Sequence, residues 1–241
     1  MKERVKTIIG NKPVIIIAPH GANDTNTAYL AESAATRIGA YAVINQGFTR
    51  ADMVDVDADM ADCNKISHCQ QDLVYEEFFK PIVKFKTAID KKSELYGSNS
   101  KQDWTTTHIF YIHGCGDLVS KQVNEQVGVI LGCGLGIKKD SLTCDSWRKN
   151  LFIALWNRAI EPKAFVGQGG GHYAGRDSDN LVQYFRKHVN DDVVQAMQLE
   201  FPFCFRKTSV DATHCGTLLG NIIGKYLSFK SYDLEAEYGL I

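Results

Sequence analysis

The hydrophobic pattern of the chain switches repeatedly between short unbroken apolar runs and longer stretches with helical spacing. The clearest run, Val14–Ala18, contains no polar residue and ends at Pro19-His20-Gly21. A short apolar run closed by turn residues predicts a strand buried on both faces. The same reading predicts strands at Tyr41–Asn45, 106–112, 127–132, 164–166 and 193–201. Helical spacing predicts helices over 26–38, 73–96, 145–160, 180–189 and 217–227. Pro81 splits or kinks the second of these, and Gly220 and Gly224 give the last one a face for close packing. Residues 47–68 are rich in aspartate and poor in large apolar side chains, which predicts an active-site loop. Residues 96–101 predict a surface turn. Strands alternating with helices imply an α/β fold with a mostly parallel or mixed sheet, covered by helices on both faces. No repeat or linker divides the chain, so a single domain over residues 1–241 is expected.

Charge and composition narrow the function. Lys+Arg 27 against Asp+Glu 28 leaves a net charge of -1, which gives no basis for nucleic acid or an anionic membrane as partner. Hydrophobic content of 44 % with 23 % charged residues suits an ordinary globular core. The apolar runs are too short to span a bilayer, and the first ten residues hold too short an apolar segment for a secretory signal. With seven cysteines, these features lead us to expect a reducing, cytoplasmic setting.

Candidate chemistry begins at His20. A strand that delivers a histidine to its carboxyl end, followed by glycine, places it where α/β proteins keep their sites. His113 repeats the arrangement: it follows an apolar run and precedes Gly114. A catalytic zinc takes three protein ligands and leaves one position open. His20, Asp24 and His113 could fill that set. Asp24 also fits a plainer role, capping the helix that begins just after it. A late strand carries Gln198 and Glu200 on one face, with Met197, Leu199 and Phe201 on the other. On a strand covered on both faces, a carboxylate is costly unless paired or functional, so Glu200 reads as a general base. On an edge strand it would merely be solvated.

Pro19-His20-Gly21, the segment Asp62-Cys63-Asn64-Lys65, Ile112-His113-Gly114, the glycines at 167–171 and Gln198-Leu199-Glu200 occur in the order seen in N-formylglutamate amidohydrolase-like proteins. The chain resembles that family from about residue 13 to 206. The resemblance implies a three-layer αβα fold related to zinc carboxypeptidases and aspartoacylases, one zinc per chain, and hydrolysis of an amide bond next to a carboxylate. It implies a small-molecule substrate, gripped by Asn64, Lys65, Arg176 or Gln198, with Arg50 polarising the scissile carbonyl. Two departures stand out. The early acidic ligand of the family is a glutamate, whereas Asp24 is shorter; Glu32 is an alternative, expected to face solvent. The family's Asn-Arg pair is Asn64-Lys65 here, and a lysine offers one point charge in place of a bidentate fork.

Competing readings come from the cysteines and glycines. Cys115 and Cys133 each sit in Gly-Cys-Gly, where an exposed thiol beside a histidine makes a nucleophile. Cys63, His68 and Cys69 are three ligands of a structural metal site without a spaced fourth. The clusters at 132–136 and 167–171 lack the remaining residues of either nucleotide-binding fingerprint and read as turns. A relative that kept the fold and lost catalysis would bind carboxylates without turnover.

Overall fold

A computed structural model describes residues 3–51, 54–55, 59–97, 103–118, 126–134, 142–167 and 172–229. Residues 168–171 of the first glycine loop, 135–136 of the second cluster and 98–101 of the expected surface turn lie outside them.

In chain order the elements are β1 (Val5–Ile8), β2 (Val14–Ala18), α1 (Thr27–Ile38), β3 (Tyr41–Asn45), α2 (Ile66–Cys69), α3 (Asp72–Val74) and α4 (Lys80–Tyr96), then β4 (Thr107–Cys115), β5 (Ile130–Gly132), α5 (Ser146–Ala159), β6 (Phe165–Val166), β7 (Val194–Pro202) and α6 (Ser209–Tyr226). The strands form one seven-stranded sheet in the order β1-β3-β2-β4-β7-β5-β6. The central β3, β2, β4 and β7 are parallel, while β1 runs antiparallel to β3 and β5 antiparallel to β7. The sheet is therefore mixed, as expected.

Helices cover both faces. Leu30, Ala34, Phe152, Trp156, Leu219 and Ile223 of α1, α5 and α6 pack on Ile16, Phe110, Ile112 and Leu199. On the other face Phe78, Ile82 and Phe85 pack with Leu181 and Phe185 on Ile15, Ile17, Ile109, Tyr111 and Ala196. Strand β2 is wholly buried, which is why its sequence carries no alternation. The chain leaves β2 for β3 on one side and later reaches β4 on the other. The carboxyl ends of β2 and β4 thus flank a point where strand order reverses, the place where α/β sheets form their crevice.

Several elements differ from the sequence reading. Strand β1 is an added antiparallel edge, too short and too mixed in pattern to register. The first turn of α4 contains Pro81, and the helix does not break there; a wider π turn, Tyr75–Phe79, precedes it. Proline lacks an N–H and crowds the carbonyl four residues back, and the wider turn absorbs both. Residues 180–189 form a 3₁₀ turn and a π turn, not an α-helix. Helix α6 starts eight residues earlier than expected, at Ser209, because Thr208 and Asp211 close a reciprocal capping box.

Candidate metal centre

His20 leaves β2 in a turn whose Gly21 lies so close to the Asn45 carbonyl that a Cβ there would overlap it. The turn folds back on itself: the amides of Asn23 and Asp24 both donate to the His20 carbonyl, at 2.8 and 2.7 Å. This brings Asp24 under His20. His113 arrives from the end of β4. The imidazoles of His20 and His113 meet edge to face with centroids 4.9 Å apart. One ligand atom from each of His20, Asp24 and His113 falls within 4.8 Å of the others. Among the described residues no other group of three such side chains is spaced for a metal.

The proton arrangement of this group favours a cation. His20 Nε2 lies 2.7 Å from Asp62 Oδ1. Burial alone would raise the Asp62 carboxyl, but the hydrogen bond and charge of His20, the Asn64 amide and Arg50 outweigh it and hold the group at about 2. Asp62 is thus ionised and accepts the Nε2 proton. In the neutral ring, the form a metal ligand takes, the lone pair of His20 is on Nδ1, 3.3 Å from His113 Nδ1 and 3.7 Å from Asp24 Oδ2. Burial and the neighbouring His20 keep His113 neutral, its pKa well below the ordinary histidine value. Its Nε2 is buried without a hydrogen-bond partner among the described residues. With one proton, His113 either faces a lone pair with a lone pair or leaves Nε2 as an orphaned acceptor. A cation between the two Nδ1 atoms and Asp24 removes the lone-pair clash of the first case, while the Nε2 proton stays without an acceptor among the described residues. Tetrahedral zinc with bonds of about 2.05 Å separates its ligand atoms by ~3.3 Å, the spacing seen between the two imidazoles. The Asp62 carboxylate behind His20 is the outer support that histidine ligands characteristically have.

Glu200 sits on β7 directly beside His113 in the register of the sheet. Strand β7 is central, lying between β4 and β5, and is buried along its full length, so the edge-strand reading does not hold. Glu200 is only 6 % exposed. Burial, reinforced by Asp24, raises its pKa to about 8 against the opposing pull of Gln198, Arg206 and Arg50. One of its oxygens is held by a chain of amides. The Val182 N–H donates to Asn180 Oδ1, Asn180 Nδ2 to Gln198 Oε1 at 3.0 Å, and Gln198 Nε2 to Glu200 Oε1 at 2.8 Å. Each step fixes the orientation of the next amide, starting from a main-chain donor that cannot flip.

The other expected site residues fall into three groups. Arg50 is exposed at 62 % of its side chain, with Nε 3.6 Å from Asp62 Oδ2, and its own amide donates to Asn23 in the His20 turn. Asn64 and Lys65 follow Asp62, and Lys65 pairs with Asn180 through the main chain. Arg176 is exposed and follows Gly175, whose backbone lies against Gln198. Gln198, expected to touch substrate, is 1 % exposed with its amide engaged on both sides, so its place is behind Glu200. Glu32 pairs with Lys6 at 2.6 Å and lies away from the cluster, as expected. The thiol chemistry finds no support. Cys115 is buried and its thiol is pushed up to about 12 by burial and Glu200. Cys133 is fully buried, and Cys69 donates its thiol proton to the Cys63 carbonyl.

Sequence reasoning missed three participants: Asp62, Asn180 and Arg206. Asp62 stands in a run with Asp52, Asp55, Asp57 and Asp59; the Asp62–Lys65 segment is notable for Asn64 and Lys65, and nothing in the run gives Asp62 a role. Asn180 and Arg206 act through their neighbours, which leaves no local motif.

No protein-family model matches the chain, and no curated protein matches it. Solved structures do. A gene product of Agrobacterium tumefaciens aligns over 94 % of this chain and 96 % of its own, with a TM-score of 0.52 and 11 % identity. A bacteriophage poly-gamma-glutamate hydrolase aligns over 98 % and 88 %, with a TM-score of 0.51 and 14 % identity. A metallo-carboxypeptidase from Burkholderia cenocepacia aligns over 92 % of this chain and 61 % of its own, with a TM-score of 0.51 and 13 % identity. At such identities the likeness is one of fold. The chain has a carboxypeptidase-like α/β fold, and its His-Asp-His cluster lies at the carboxyl ends of the central strands. No helix among the described residues is long and apolar enough to cross a membrane.

Proposed function

We propose that this chain is a zinc-dependent amidohydrolase of the N-formylglutamate amidohydrolase-like type, acting on an N-acyl amino acid or short peptide end that bears a carboxylate. One observation carries the reading: His20, Asp24 and His113 converge within 4.8 Å at a strand end where a buried glutamate is the register neighbour of His113. The fold shared with a metallo-carboxypeptidase and a poly-gamma-glutamate hydrolase supports it.

His20, Asp24 and His113 hold the metal. A bound zinc supplies Lewis acidity, both to the attacking water and to the scissile carbonyl. Glu200 takes one proton from that water as its oxygen bonds to the carbonyl carbon. It then returns the proton to the departing nitrogen as the C–N bond breaks. Because Gln198 occupies Glu200 Oε1, the proton travels on Oε2. A pKa raised by burial suits a group that must both accept and release a proton near neutrality. Arg50, with most of its side chain in solvent, stabilises negative charge on the former carbonyl oxygen. Lys65 and Arg176 attract the substrate carboxylate. Among the described residues the buried side-chain oxygen of Asn64 has no donor, which suits it to an N–H of the substrate.

Elemental analysis of purified protein, followed by a panel of N-formyl and N-acyl amino acids, tests this. About one zinc per chain and chelator-sensitive hydrolysis is the expected outcome. Protein that takes up no zinc, or that binds it and cleaves no member of the panel, overturns the catalytic reading.

A further inference from the structure

The buried arginine next to this site has an unusual set of partners. Arg206 is 5 % exposed, and among the described residues it forms no ion pair. Its guanidinium donates instead to three main-chain carbonyls: Thr25 at 2.8 Å, Cys115 at 2.7 Å and Phe201 at 3.0 Å. Thr25 follows Asp24, Cys115 lies two residues past His113, and Phe201 follows Glu200. Each carbonyl belongs to a different segment, and each segment carries one member of the site. The grip is mutual, because Asn26 Nδ2 donates to the Arg206 carbonyl at 2.8 Å and to that of Lys207 at 3.2 Å. Asn26 does so from a left-handed conformation with φ 61°, uncommon for a residue with a side chain. The guanidinium lies flat against Gly114, where a Cβ would overlap its Cζ.

An ionised group buried without a counter-ion is costly, and tertiary structure keeps it where several groups must be fixed together. The planar fork of arginine reaches diverging acceptors that a lysine ammonium on a flexible stem cannot reach at once. We propose that Arg206 is a positioning residue, which fastens the segments bearing Asp24, His113 and Glu200 to one another and thereby sets the spacing of the metal ligands and the base. The role of these ligands rests on the metal reading above; the fastening of the three segments does not.

The test compares Arg206→Met, Arg206→Lys and Gly114→Ala with the wild type. Lys86→Met serves as a control, since Lys86 is also a buried cation but lies in α4, paired with Asp90 and Asp191. Three readouts are used: zinc affinity by chelator competition, the visible spectrum of the cobalt-loaded protein, and amide exchange of the metal-free protein. Arg206→Met is expected to weaken zinc binding about ten- to a hundredfold, the usual range for outer-shell changes. It should also alter the cobalt bands and speed exchange at 20–26, 113–116 and 201–206 together. Arg206→Lys recovers part of each effect, and Gly114→Ala reproduces them. Lys86→Met loses thermal stability but keeps zinc affinity within about twofold of wild type. Should Arg206→Met fail to fold, Arg206→Lys and Gly114→Ala carry the test through the same readouts. Unchanged zinc affinity and cobalt bands in the Arg206 variants overturn the proposal, as does an equal loss of affinity in Lys86→Met. A wild type that binds neither metal removes the metal reading. The joint change in exchange then still supports the fastening, and its absence overturns that too.

Discussion

Strand β4 carries two buried histidines, and they lead different lives. His108, near its start, packs edge to face on Tyr226 with centroids 5.2 Å apart, and the Tyr226 hydroxyl lies 3.3 Å from its Nδ1. His113, near the end, faces a second imidazole and a carboxylate, and its Nε2 has no hydrogen-bond partner among the described residues. Both have pKa values driven well below the ordinary histidine value, chiefly by burial, with Arg148 adding to it at His108 and His20 at His113. They stand five positions apart along the strand, an odd interval, so they face opposite sides of the sheet. Burial and a lowered pKa therefore do not tell the two apart. What distinguishes His113 is the company it keeps: a second imidazole nitrogen at the same point, and an acid within reach.

The sharpest break in this comparison is removal of each ring. His113→Ala or His20→Ala should weaken zinc binding well beyond the ~100-fold of an outer-shell change. His108→Phe should leave zinc content intact and cost about 1–3 kcal/mol in a denaturant titration. Next in size is Glu200→Gln. It should keep the metal and lower kcat by about 10²- to 10⁴-fold on whichever substrate the panel finds; full activity would remove Glu200 from the chemistry. Asp62→Asn should follow, with zinc affinity down about ten- to a hundredfold and the fold intact by circular dichroism.

The smallest effect is on stability against pH, in metal-free protein. The Glu200 carboxyl lies near 8 in the folded chain and near ~4.3 unfolded. Between those values the folded state binds more protons, so stability contributed by this group is full at the acid end and falls as pH rises to about 8. Glu200→Gln should flatten that slope in urea titrations, and zinc should flatten it in the wild type. A wild-type slope identical to that of Glu200→Gln would show that the carboxyl is not perturbed.

Much of the architecture was legible because buried strands announce themselves. Val14–Ala18 and Tyr41–Asn45 have the boundaries that their apolar runs predict. Helix α6 was only half legible. Its first two turns, Ser209 to Gly216, mix hydroxyl, acidic and glycine residues, and only the Thr208–Asp211 capping signal marks the start. The convergence of His20 and His113 could be anticipated from strand ends followed by glycine, and that of Asp24 only from its spacing to His20. The supports behind them could not. Asp62 reaches His20 across 42 residues, and Arg206 binds Thr25 across 181; such pairings depend on how loops close over a finished sheet.

The wall on the Asp62 side of the site has a consequence for redesign. Segment 64–67 is docked on 177–181 by the main-chain bonds Ile66 to Asp179 and Leu181 to Asn64, and by Ser67 on the Asp179 carboxylate. Asn180, in the same stretch, starts the amide series that ends on Glu200. The two loops therefore behave as one inheritable cassette: a transplant of 64–67 alone into another scaffold would sever the orientation of the glutamate it never touches.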